Sequence, residues 1–305
     1  MADKKTKTSN WSQDKRLEFI DFRLQWTGKI NRSDLVDFFG ISVPQASLDL
    51  ARYIDWRPDN VFYDKKTKAY LKSEEFQPLF SEKDSRYYLR NLLALNQNII
   101  RSDESFIGII PSSDVLPSLE RTVPENTLAL VVDAINNKKA IRVSYLSMTS
   151  DVASKRTLNP HAMVFDGHRW HVRAFCRTRK DFRDFVLARI ITAETLDEAV
   201  VSSEQDIAWH TYITLVFKPS SDLSETHRKA IEFDYGMIEG KIEIKCRKAL
   251  LFYTLKRYNL LKDFITDNEK LNKLNDQFIS LSNYEDISHF IKDEIGRIQA
   301  ASATV

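Results

Sequence analysis

The sequence predicts an α+β protein of several domains, and three stretches support this prediction. Near the N-terminus, three helical segments follow one another closely and precede two strand-like segments. In the middle, residues 159–190 alternate apolar and polar side chains with the two-residue period of β-strands. Toward the C-terminus, residues 213–258 have the order strand, helix, strand, helix. This order predicts a winged helix–turn–helix, then a small barrel or strongly bent sheet, then a C-terminal α+β domain.

The first two helices are predicted by apolar spacing and by residues that favour helix ends. The first helix spans residues 12–26 and stops before Gly28. Its core face carries Leu17, Ile20 and Leu24. Asn31 is a good N-cap for the second helix, and Gly40 is typical of the residue just past a helix end. The core face of this second helix carries Leu35, Phe38 and Phe39.

A third helix is predicted after a very short turn, because Ser42-Val43-Pro44-Gln45 has the pattern of a capping box. Its core side is formed by Ala46, Leu50, Tyr53 and Ile54. The side chains left to face outward are Gln45, Ser47, Leu48, Asp49 and Arg52. Two helices joined in this way are typical of the helix–turn–helix, whose second helix lies in the major groove of DNA.

A wing is predicted directly after this helix. Residues 61–72 contain two strand-like pieces around Asp64-Lys65-Lys66-Thr67, so cations lie at the tip, where they suit phosphate contacts. Gln45 has the amide needed to pair with an adenine. A plain three-helix bundle with a hairpin is the alternative, and we favour DNA binding. The expected DNA contacts are Asn31, Arg32, Ser42, Pro44, Gln45, Ser47, Leu48, Arg52, Lys65, Lys66 and Lys68.

The next stretch is predicted to connect two domains. A helix over residues 81–98 would be capped by Ser81, with Asp84 three positions later. Its apolar lining is Leu89, Leu92, Leu93 and Leu95. Residues 101–124 contain three prolines and predict an irregular linker.

The central strands are predicted by alternation. A helix over residues 127–138 and a strand over 140–147 come first, and Asp166-Gly167 is a hairpin signal between the next two strands. One face of the strand that follows carries Trp170, Val172, Ala174 and Cys176. The opposite face carries His171, Arg173, Phe175 and Arg177, and we expect it to be open and basic, suited to an anion. A third strand over residues 183–190 has Val186, Ala188 and Ile190 on one face and Phe185, Leu187 and Arg189 on the other.

The C-terminal third is predicted to be a separate α+β domain. Strands are expected over residues 213–218 and 241–246, and helices over residues 224–232 and 248–258. A final amphipathic helix is expected over residues 286–300.

Composition limits the class of protein. The 305 residues carry a net charge of only +2, although residues 169–189 hold seven Lys or Arg against Asp181 and Asp184. Two cysteines predict reduced thiols and a cytoplasmic location. No apolar run reaches the length of a membrane span, and no Gly-rich phosphate loop is present, so we expect neither membrane association nor a cofactor. We expect no metal site either, because His168 and His171 would point to opposite faces of a strand.

Around Trp170-His171-Val172 the sequence resembles the WYL domain, named for a Trp-Tyr-Leu triplet on an Sm-like or SH3-like β-barrel. The similarity extends to IRVSYLS at residues 141–147, to Asn159-Pro160-His161 and to FVLARI at residues 185–190. With its winged helix–turn–helix and C-terminal extension, the chain resembles WYL regulators encoded with bacterial phage-defence systems, such as the BREX regulators. His171 replaces the Tyr of the triplet, so a ligand contact through that hydroxyl does not carry over.

The resemblance implies a domain plan and a function. The winged helix–turn–helix would occupy residues 1–80, the helical connector and linker 81–124, the ligand-sensing WYL-like domain 125–203, and the C-terminal α+β dimerisation extension 206–305. Regulators of this family are homodimeric repressors of their own defence operons, and their WYL domain is held to sense a nucleic acid or nucleotide. The implied partners are therefore a double-stranded operator with an inverted repeat, such an effector, and a second copy of the chain.

The resemblance also implies a ligand pocket. By position, its residues are Tyr145, Ser147, His161, His171, Arg173 and Arg189. Replacement of Arg173 by alanine is then expected to weaken ligand binding and to leave the fold intact.

Two other functions stay open at this level. His161 and His171 beside Arg173 and Arg189 are the residue types of a ribonuclease-like phosphodiester cleavage, but no nucleophile motif or carboxylate cluster accompanies them. We therefore expect no catalytic residues. The other possibility is a nucleic-acid adaptor that does not regulate transcription. The two arginines also have an alternative role, which is to pair with Asp181 or Asp184, and His161 and His171 have one as hydrogen-bonded structural residues. Trp170 is expected in the core and not at the ligand.

Overall fold

A computed structural model describes residues 11–80, 84–148, 152–260 and 278–303. The chain divides into two compact units, the first ending at Leu119 and the second beginning at Glu120. Each unit has its own apolar core, and the second contains two of them, one in each half. None of the helices in the described residues is both long and apolar enough to cross a membrane.

The first unit is a helical bundle with a small antiparallel sheet. Its elements are α1 (Trp11–Thr27), β1 (Lys29–Ile30), α2 (Arg32–Phe39), α3 (Val43–Trp56), β2 (Val61–Asp64), β3 (Ala69–Lys72) and α4 (Ser85–Asn96). The sheet order is β1-β3-β2, so the predicted wing is joined by a short strand that follows α1. The helix–turn–helix and the wing are confirmed as folded elements. The predicted cap Ser81 lies outside the described residues, and Asp84 caps α4 by accepting from the backbone N–H of Tyr87.

The core of the first unit is aromatic. Phe19 and Phe22 of α1 are buried against Phe38 and Phe106, with ring centroids 4.6–5.9 Å apart. Such ring pairs add to the stabilisation that burial itself provides. Phe106 lies in the segment that was expected to be a free linker, so this part of the linker belongs to the folded unit.

A buried carboxylate holds the end of the wing segment to α1. Asp21 is 1% exposed and accepts hydrogen bonds from the Tyr53 hydroxyl at 2.5 Å and from the backbone N–H groups of Leu79 and Phe80 at 3.0 Å. Burial, and next the bond to Asp21, raises the pKa of Tyr53. Asn60 donates to the same hydroxyl at 2.9 Å. The network links α1, α3 and the residues after β3.

The first half of the second unit is a five-stranded antiparallel sheet with a helix packed on it. Its elements are α5 (Glu125–Asn136), β4 (Ala140–Tyr145), β5 (Ser154–Phe165), β6 (Trp170–Cys176), β7 (Asp181–Val186) and β8 (Ile190–Leu196). The order is β7-β6-β5-β4-β8, and β7 and β8 form its edges in the described residues, so hydrogen bonding does not close it into a barrel. Val131 and Ala134 of α5 pack on Val143, Leu158 and Val172.

The second half is an α+β layer in the predicted order. It contains α6 (Ile207–His210), β9 (Tyr212–Pro219), α7 (Glu225–Tyr235), β10 (Ile242–Arg247), α8 (Leu251–Arg257), β11 (Ile279–Leu281) and α9 (Tyr284–Ala303). The sheet order is β10-β9-β11, with Leu215 and Phe217 of the central strand fully covered. The strand, helix, strand, helix pattern and the final helix are confirmed.

Two expectations for the central strands were wrong. The third strand ends at Val186, and Leu187–Arg189 form a 3₁₀ turn that leads into β8, a strand that the sequence pattern did not separate. The face of β6 that was expected to be open is buried: His171 and Arg173 are each 2% exposed, whereas Trp170 is 49% exposed and not in the core. This face is buried because Asp206 and Tyr253, which come from the second half of the unit, contact it.

Candidate functional site

Helix α3 begins with the geometry expected of a helix that meets DNA. Ser42 is its N-cap, and the Ser42 hydroxyl accepts from the backbone N–H of Gln45 at 3.3 Å. Pro44 occupies the first turn, where its missing N–H costs nothing. The Gln45 side chain does not reach back to the cap, so the predicted capping box is only half formed. Asn31 and Asp34 form a complete capping box at α2, and Gly40 ends that helix with φ 63°.

The Gln45 side chain is positioned by a buried ion pair. Its amide Nε2 donates to Asp49 Oδ1 at 3.2 Å, and Arg16 Nε donates to Asp49 Oδ2 at 2.5 Å. Asp49 is fully buried, so its expected outward orientation was wrong: the guanidinium of α1 neutralises the carboxylate within the core. This chain of contacts positions the amide nitrogen of Gln45 on α3.

The outer face of α3 is exposed and carries the predicted contacts. Gln45, Leu48 and Arg52 follow the three- and four-residue spacing of one helix face. Leu48 is 64% exposed, and an apolar side chain there suits a thymine methyl group. Arg52 is held by Gln13 Oε1 at 2.6 Å and lies over the Trp56 ring. Ser47 bonds the carbonyl of Val43 at 3.0 Å, and Arg32 is exposed at the start of α2.

The wing ends in a turn built around Asp64. The Asp64 carboxylate accepts from the backbone N–H groups of Lys66 and Thr67 at 3.0 and 3.1 Å and from the Thr67 hydroxyl at 2.5 Å. The hydrogen bond from the Thr67 hydroxyl contributes most to lowering the pKa of Asp64, and the backbone bonds lower it further. Lys68 follows with φ 54°, a left-handed conformation that closes the turn. Lys65, Lys66 and Lys68 are all exposed, so three ammonium groups surround the tip.

Arg173 lies at the centre of a second cluster, inside the second unit. Its Nε and one terminal nitrogen donate to the two oxygens of Asp206 at 2.8 and 3.0 Å. The other terminal nitrogen lies 3.3 Å from Asp184 Oδ1, and the Tyr253 hydroxyl donates to Asp184 Oδ2 at 3.3 Å. The alternative pairing of Arg173 with Asp184 is thus realised. We call Arg173, Asp184, Asp206 and His161 the buried charge cluster.

The pKa shifts in the buried charge cluster follow from burial and pairing. Burial alone lowers the pKa of Arg173, but hydrogen bonds and charge from Asp206 and Asp184 outweigh it and raise that pKa. Burial likewise opposes ionisation of Asp206, yet its bonds to His161 and Arg173 hold its pKa below the usual range. At Asp184 burial dominates, and its pKa is raised despite Arg173. Burial, and next Asp184, raises the pKa of Tyr253.

His161 reaches the buried charge cluster through a bulge in β5. The register pairs Pro160 with Ala174 and Ala162 with Arg173, which leaves His161 as the extra residue. Its Nε2 lies 3.0 Å from Asp206 Oδ2, and its ring packs edge-on against Trp209 and Phe182. The bulge therefore turns an imidazole toward the carboxylate that Arg173 holds.

His171 belongs to a neighbouring contact. Its Nε2 lies 2.8 Å from Asp166 Oδ2, and its ring is 4.8 Å from that of Tyr253. Asp166 also accepts from the backbone N–H groups of His168 and Arg169 at 2.8 and 2.9 Å. Burial raises the pKa of Asp166, but the bond from His171 and these backbone bonds outweigh it and lower that pKa. His171 Nδ1 is buried and has no hydrogen-bond partner within the described part of the chain.

The remaining predicted ligand residues are at the end of β4, directly after it, and in the turn before β8. Tyr145 is 7% exposed, accepts from the backbone N–H of Val186 at 3.2 Å and packs edge-on against Phe185. Ser147 follows β4 and is half-buried. Arg189 is half-buried in the 3₁₀ turn before β8, and its side chain makes no ion pair with any residue that the structure describes. Of the two predicted arginines, Arg189 is thus the one without an ion pair among the described residues.

Sequence reasoning missed the acidic and aromatic partners of this site. Asp206 precedes Ile207-Ala208-Trp209, which is a visible N-cap signal, and its carboxylate does accept from Trp209 N–H at 3.2 Å. Its pairing with a residue 33 positions earlier has no local signal. Tyr253 is half-buried on α8 and shows only helical spacing in the sequence. The acid–base alternative needs histidines that reach a substrate, and His171 is 2% exposed.

Comparison with known protein families gives matches along nearly the whole chain. Residues 12–94 match the family described as the BrxR transcriptional regulator winged helix-turn-helix domain. Residues 126–195 match the WYL domain, and residues 212–287 match the BrxR transcriptional regulator C-terminal dimerization domain. The order of the three families agrees with the order of the folded elements.

Comparison with curated proteins gives relatives that match most of the chain. The chain is 39% identical over 290 residues to the DNA-binding transcriptional repressor CapW of Stenotrophomonas maltophilia, covering 95% of both chains. It is 42% identical to CapW of Escherichia coli strain KTE188, covering 83% of this chain and 84% of that protein. CapW of Pseudomonas aeruginosa is 40% identical over 84% of this chain and 85% of its own length. The chain therefore belongs to the family of CapW and BrxR regulators, with a winged helix–turn–helix, a WYL domain and a BrxR-type C-terminal domain in that order.

Proposed function

We propose that this protein is a DNA-binding transcriptional repressor. The observation that carries the proposal is the outer face of α3, where the half-buried Gln45 and the exposed Leu48 and Arg52 share one side and a lysine-rich wing follows. A helix that enters the major groove reads base edges with residues of its N-terminal part, while the wing contacts phosphates. Relatives at about 40% identity are named as DNA-binding transcriptional repressors, which agrees with this assignment.

The repressor is proposed to act as a homodimer on an inverted repeat. The name of the C-terminal family includes dimerization, and one helix–turn–helix on a chain with a net charge of +2 gains affinity when two copies act together. Two-fold symmetry presents two recognition helices to half-sites about one helical turn, or roughly 10 bp, apart. The proposed division of the chain is residues 1–80 for DNA, 81–124 for connection, 125–203 for sensing and 206–305 for dimerisation.

The WYL domain is proposed to bind an effector that carries phosphate, either a nucleic acid or a nucleotide, and so to modulate DNA binding. Arg173, Arg189, Tyr145, Ser147, His161 and His171 are its proposed contacts. We further propose that the five strands curve into the Sm-like shape that this domain family implies. The repressed genes are proposed to be those of the protein's own phage-defence operon, and the protein is proposed to act in the bacterial cytoplasm. An effector regulates only if it binds one conformation better than the other.

Replacement of Gln45 by alanine tests the reading of bases by α3. We expect the affinity for operator DNA to fall by roughly 1–3 kcal/mol, because a bidentate base contact is lost. Asp49 keeps its partner Arg16, so the thermal unfolding midpoint should stay unchanged. The measurement is an anisotropy titration of operator and random duplexes. Asp37→Ala, an exposed change on α2, is the control. Equal loss on both duplexes would contradict base reading by Gln45.

The double variant Lys65→Ala, Lys66→Ala tests the wing. It should weaken binding to every DNA sequence alike. The slope of log K against log salt concentration should become shallower by about 1–2, because fewer phosphate contacts form and fewer counterions are released on binding. The measurement repeats the titration over a series of salt concentrations. An unchanged slope would show that the wing does not contact phosphate.

Oligomeric state is the third test. Light scattering on the purified chain should give a mass twice its 35.5 kDa, because the dimer is proposed to be the form that binds the inverted repeat. Titration with an operator and with a single half-site should then show much tighter binding to the whole operator. A monomer that binds the operator and the half-site equally well would refute the dimer.

A further inference from the structure

The buried charge cluster places two carboxyl groups around the single guanidinium of Arg173. One guanidinium contacts the carboxylates of Asp206 and Asp184, at 2.8–3.0 Å and 3.3 Å, and Arg173 is 2% exposed. His161 also contacts Asp206, at 3.0 Å. A phosphate added to this arrangement would bring a further negative charge into a site shielded from water, where repulsion is strong. An anion binds Arg173 only if a carboxylate leaves.

The two carboxylates differ in how firmly the fold holds them. Asp184 lies within β7, directly opposite Arg173 in the strand register. Asp206 lies in the connection between β8 and β9, between the 3₁₀ turn Ser203–Gln205 and the four-residue helix α6. A short connecting segment opens at a lower free energy than a strand that is hydrogen-bonded along its length to a neighbour in a sheet. Asp206 is therefore the carboxylate that can leave.

We propose that Asp206 is a built-in competitor of the effector: its carboxylate occupies the position on Arg173 and His161 that a phosphate group of the effector takes. The proposal rests on the effector site proposed above. The two-point contact of Asp206 with the guanidinium is the geometry in which arginine also binds phosphate. One anion replaces another, so the guanidinium stays paired in both states.

Release of Asp206 also has an effect beyond the cluster. The carboxylate accepts from the backbone N–H of Trp209 and so caps α6, the element that leads into β9 of the C-terminal half. When a phosphate holds Arg173, this connection loses its ion pair with the sheet and keeps the bond from Val201 N–H to Asn159. Effector binding then changes how the sensing half is held to the half that is matched by the dimerization family. Only molecules in which Asp206 has left Arg173 can bind the effector. The measured affinity is therefore the intrinsic affinity multiplied by the fraction of such molecules.

The test compares the full-length parent with Asp206→Asn by calorimetric titration. The probe is a terminally phosphorylated thymidine dinucleotide, which is too short to fill the DNA site of a helix–turn–helix. Asparagine keeps an oxygen to cap α6 but removes the competing charge, so we expect the variant to bind the probe at least about tenfold tighter. The matched control is Glu198→Gln, which removes the same charge from an exposed pair with Arg177 on the same sheet. The control should bind like the parent, within about twofold.

A second measurement uses the parent alone and does not depend on the variant's folding. Hydrogen exchange of the Trp209 amide, which Asp206 protects, should become faster when the probe is added. Amides of the control strand β10 should not change.

The outcomes separate the competitor from the effector site itself. If both proteins bind the probe equally and Trp209 exchange is unchanged, Asp206 is not a competitor, and the proposed effector site stands. If neither protein binds the probe although both bind operator, the effector site is refuted and the competitor with it. If Glu198→Gln gains as much affinity as Asp206→Asn, the effect is one of general charge, and the competitor is overturned.

Discussion

Replacement of Arg173 by alanine is expected to lower the free energy of unfolding of the second unit by about 3–5 kcal/mol, because it leaves Asp184 and Asp206 buried without a cation. This reverses the expectation, drawn from the strand pattern, that the change would leave the fold intact. Arg173 is 2% exposed and bonds both carboxylates, so its removal takes away their compensation rather than a surface charge. Denaturant titration followed by circular dichroism measures the loss.

A matched arginine on the same sheet provides the control. Arg177 directly follows β6 and is 32% exposed in its pair with Glu198. Arg177→Ala should cost only about 0–1 kcal/mol, since exposed ion pairs contribute little. A cost for Arg173→Ala as small as that of Arg177→Ala would show that the buried charge cluster is open to water in solution. The loss of stability also means that Arg173→Ala alone cannot report on effector binding, and Asp206→Asn serves that purpose.

Replacement of Asp21 by alanine should destabilise the first unit by about 3 kcal/mol or more, since three donors lose their acceptor and each buried unpaired donor costs about 1–3 kcal/mol. These donors are the Tyr53 hydroxyl and the backbone N–H groups of Leu79 and Phe80. Operator affinity should fall as well, because α3 carries Tyr53 and is held to α1 through this bond. The measurements are thermal unfolding and operator titration on the same samples.

Two further variants isolate the cause of that loss. Tyr53→Phe removes a single donor and should cost about 1–2 kcal/mol. Asp37→Ala removes an exposed carboxylate from α2 and should have almost no effect. If Asp21→Ala lowered the free energy of unfolding no more than Tyr53→Phe, the bonds from the Leu79 and Phe80 N–H groups to Asp21 would contribute nothing to stability.

Local signals were enough to predict the elements of the winged helix–turn–helix. Asn31, Gly40 and Ser42 act at the ends of helices as predicted, since capping depends on residues within one turn of each other. The same reasoning failed at Asp49, which has the helical spacing of a surface residue and is buried because Arg16 reaches it from another helix. A long-range ion pair of this kind leaves no periodic trace in the sequence.

Alternation in β6 correctly predicted a strand but not what lies against its faces. The two-residue period of a strand shows only that the side chains of His171 and Arg173 lie on the same face. Whether that face is open depends on which residues pack on it. Asp206 and Tyr253, which cover it, lie 33 and 80 positions after Arg173 in the sequence. The resemblance to WYL regulators, in contrast, identified the family correctly, because triplet, strand and domain order together are more specific than any single position.

The buried charge cluster also has a consequence for temperature. The cost of removing charged groups from water falls as temperature rises, whereas the contribution of apolar burial levels off. The contact of Asp206 with Arg173 should therefore hold relatively better in warm cells than in cold ones. If Asp206 competes with the effector, the guanidinium is paired with an anion in both states, so growth temperature should change the stability of the second unit more than the balance between Asp206 and the effector.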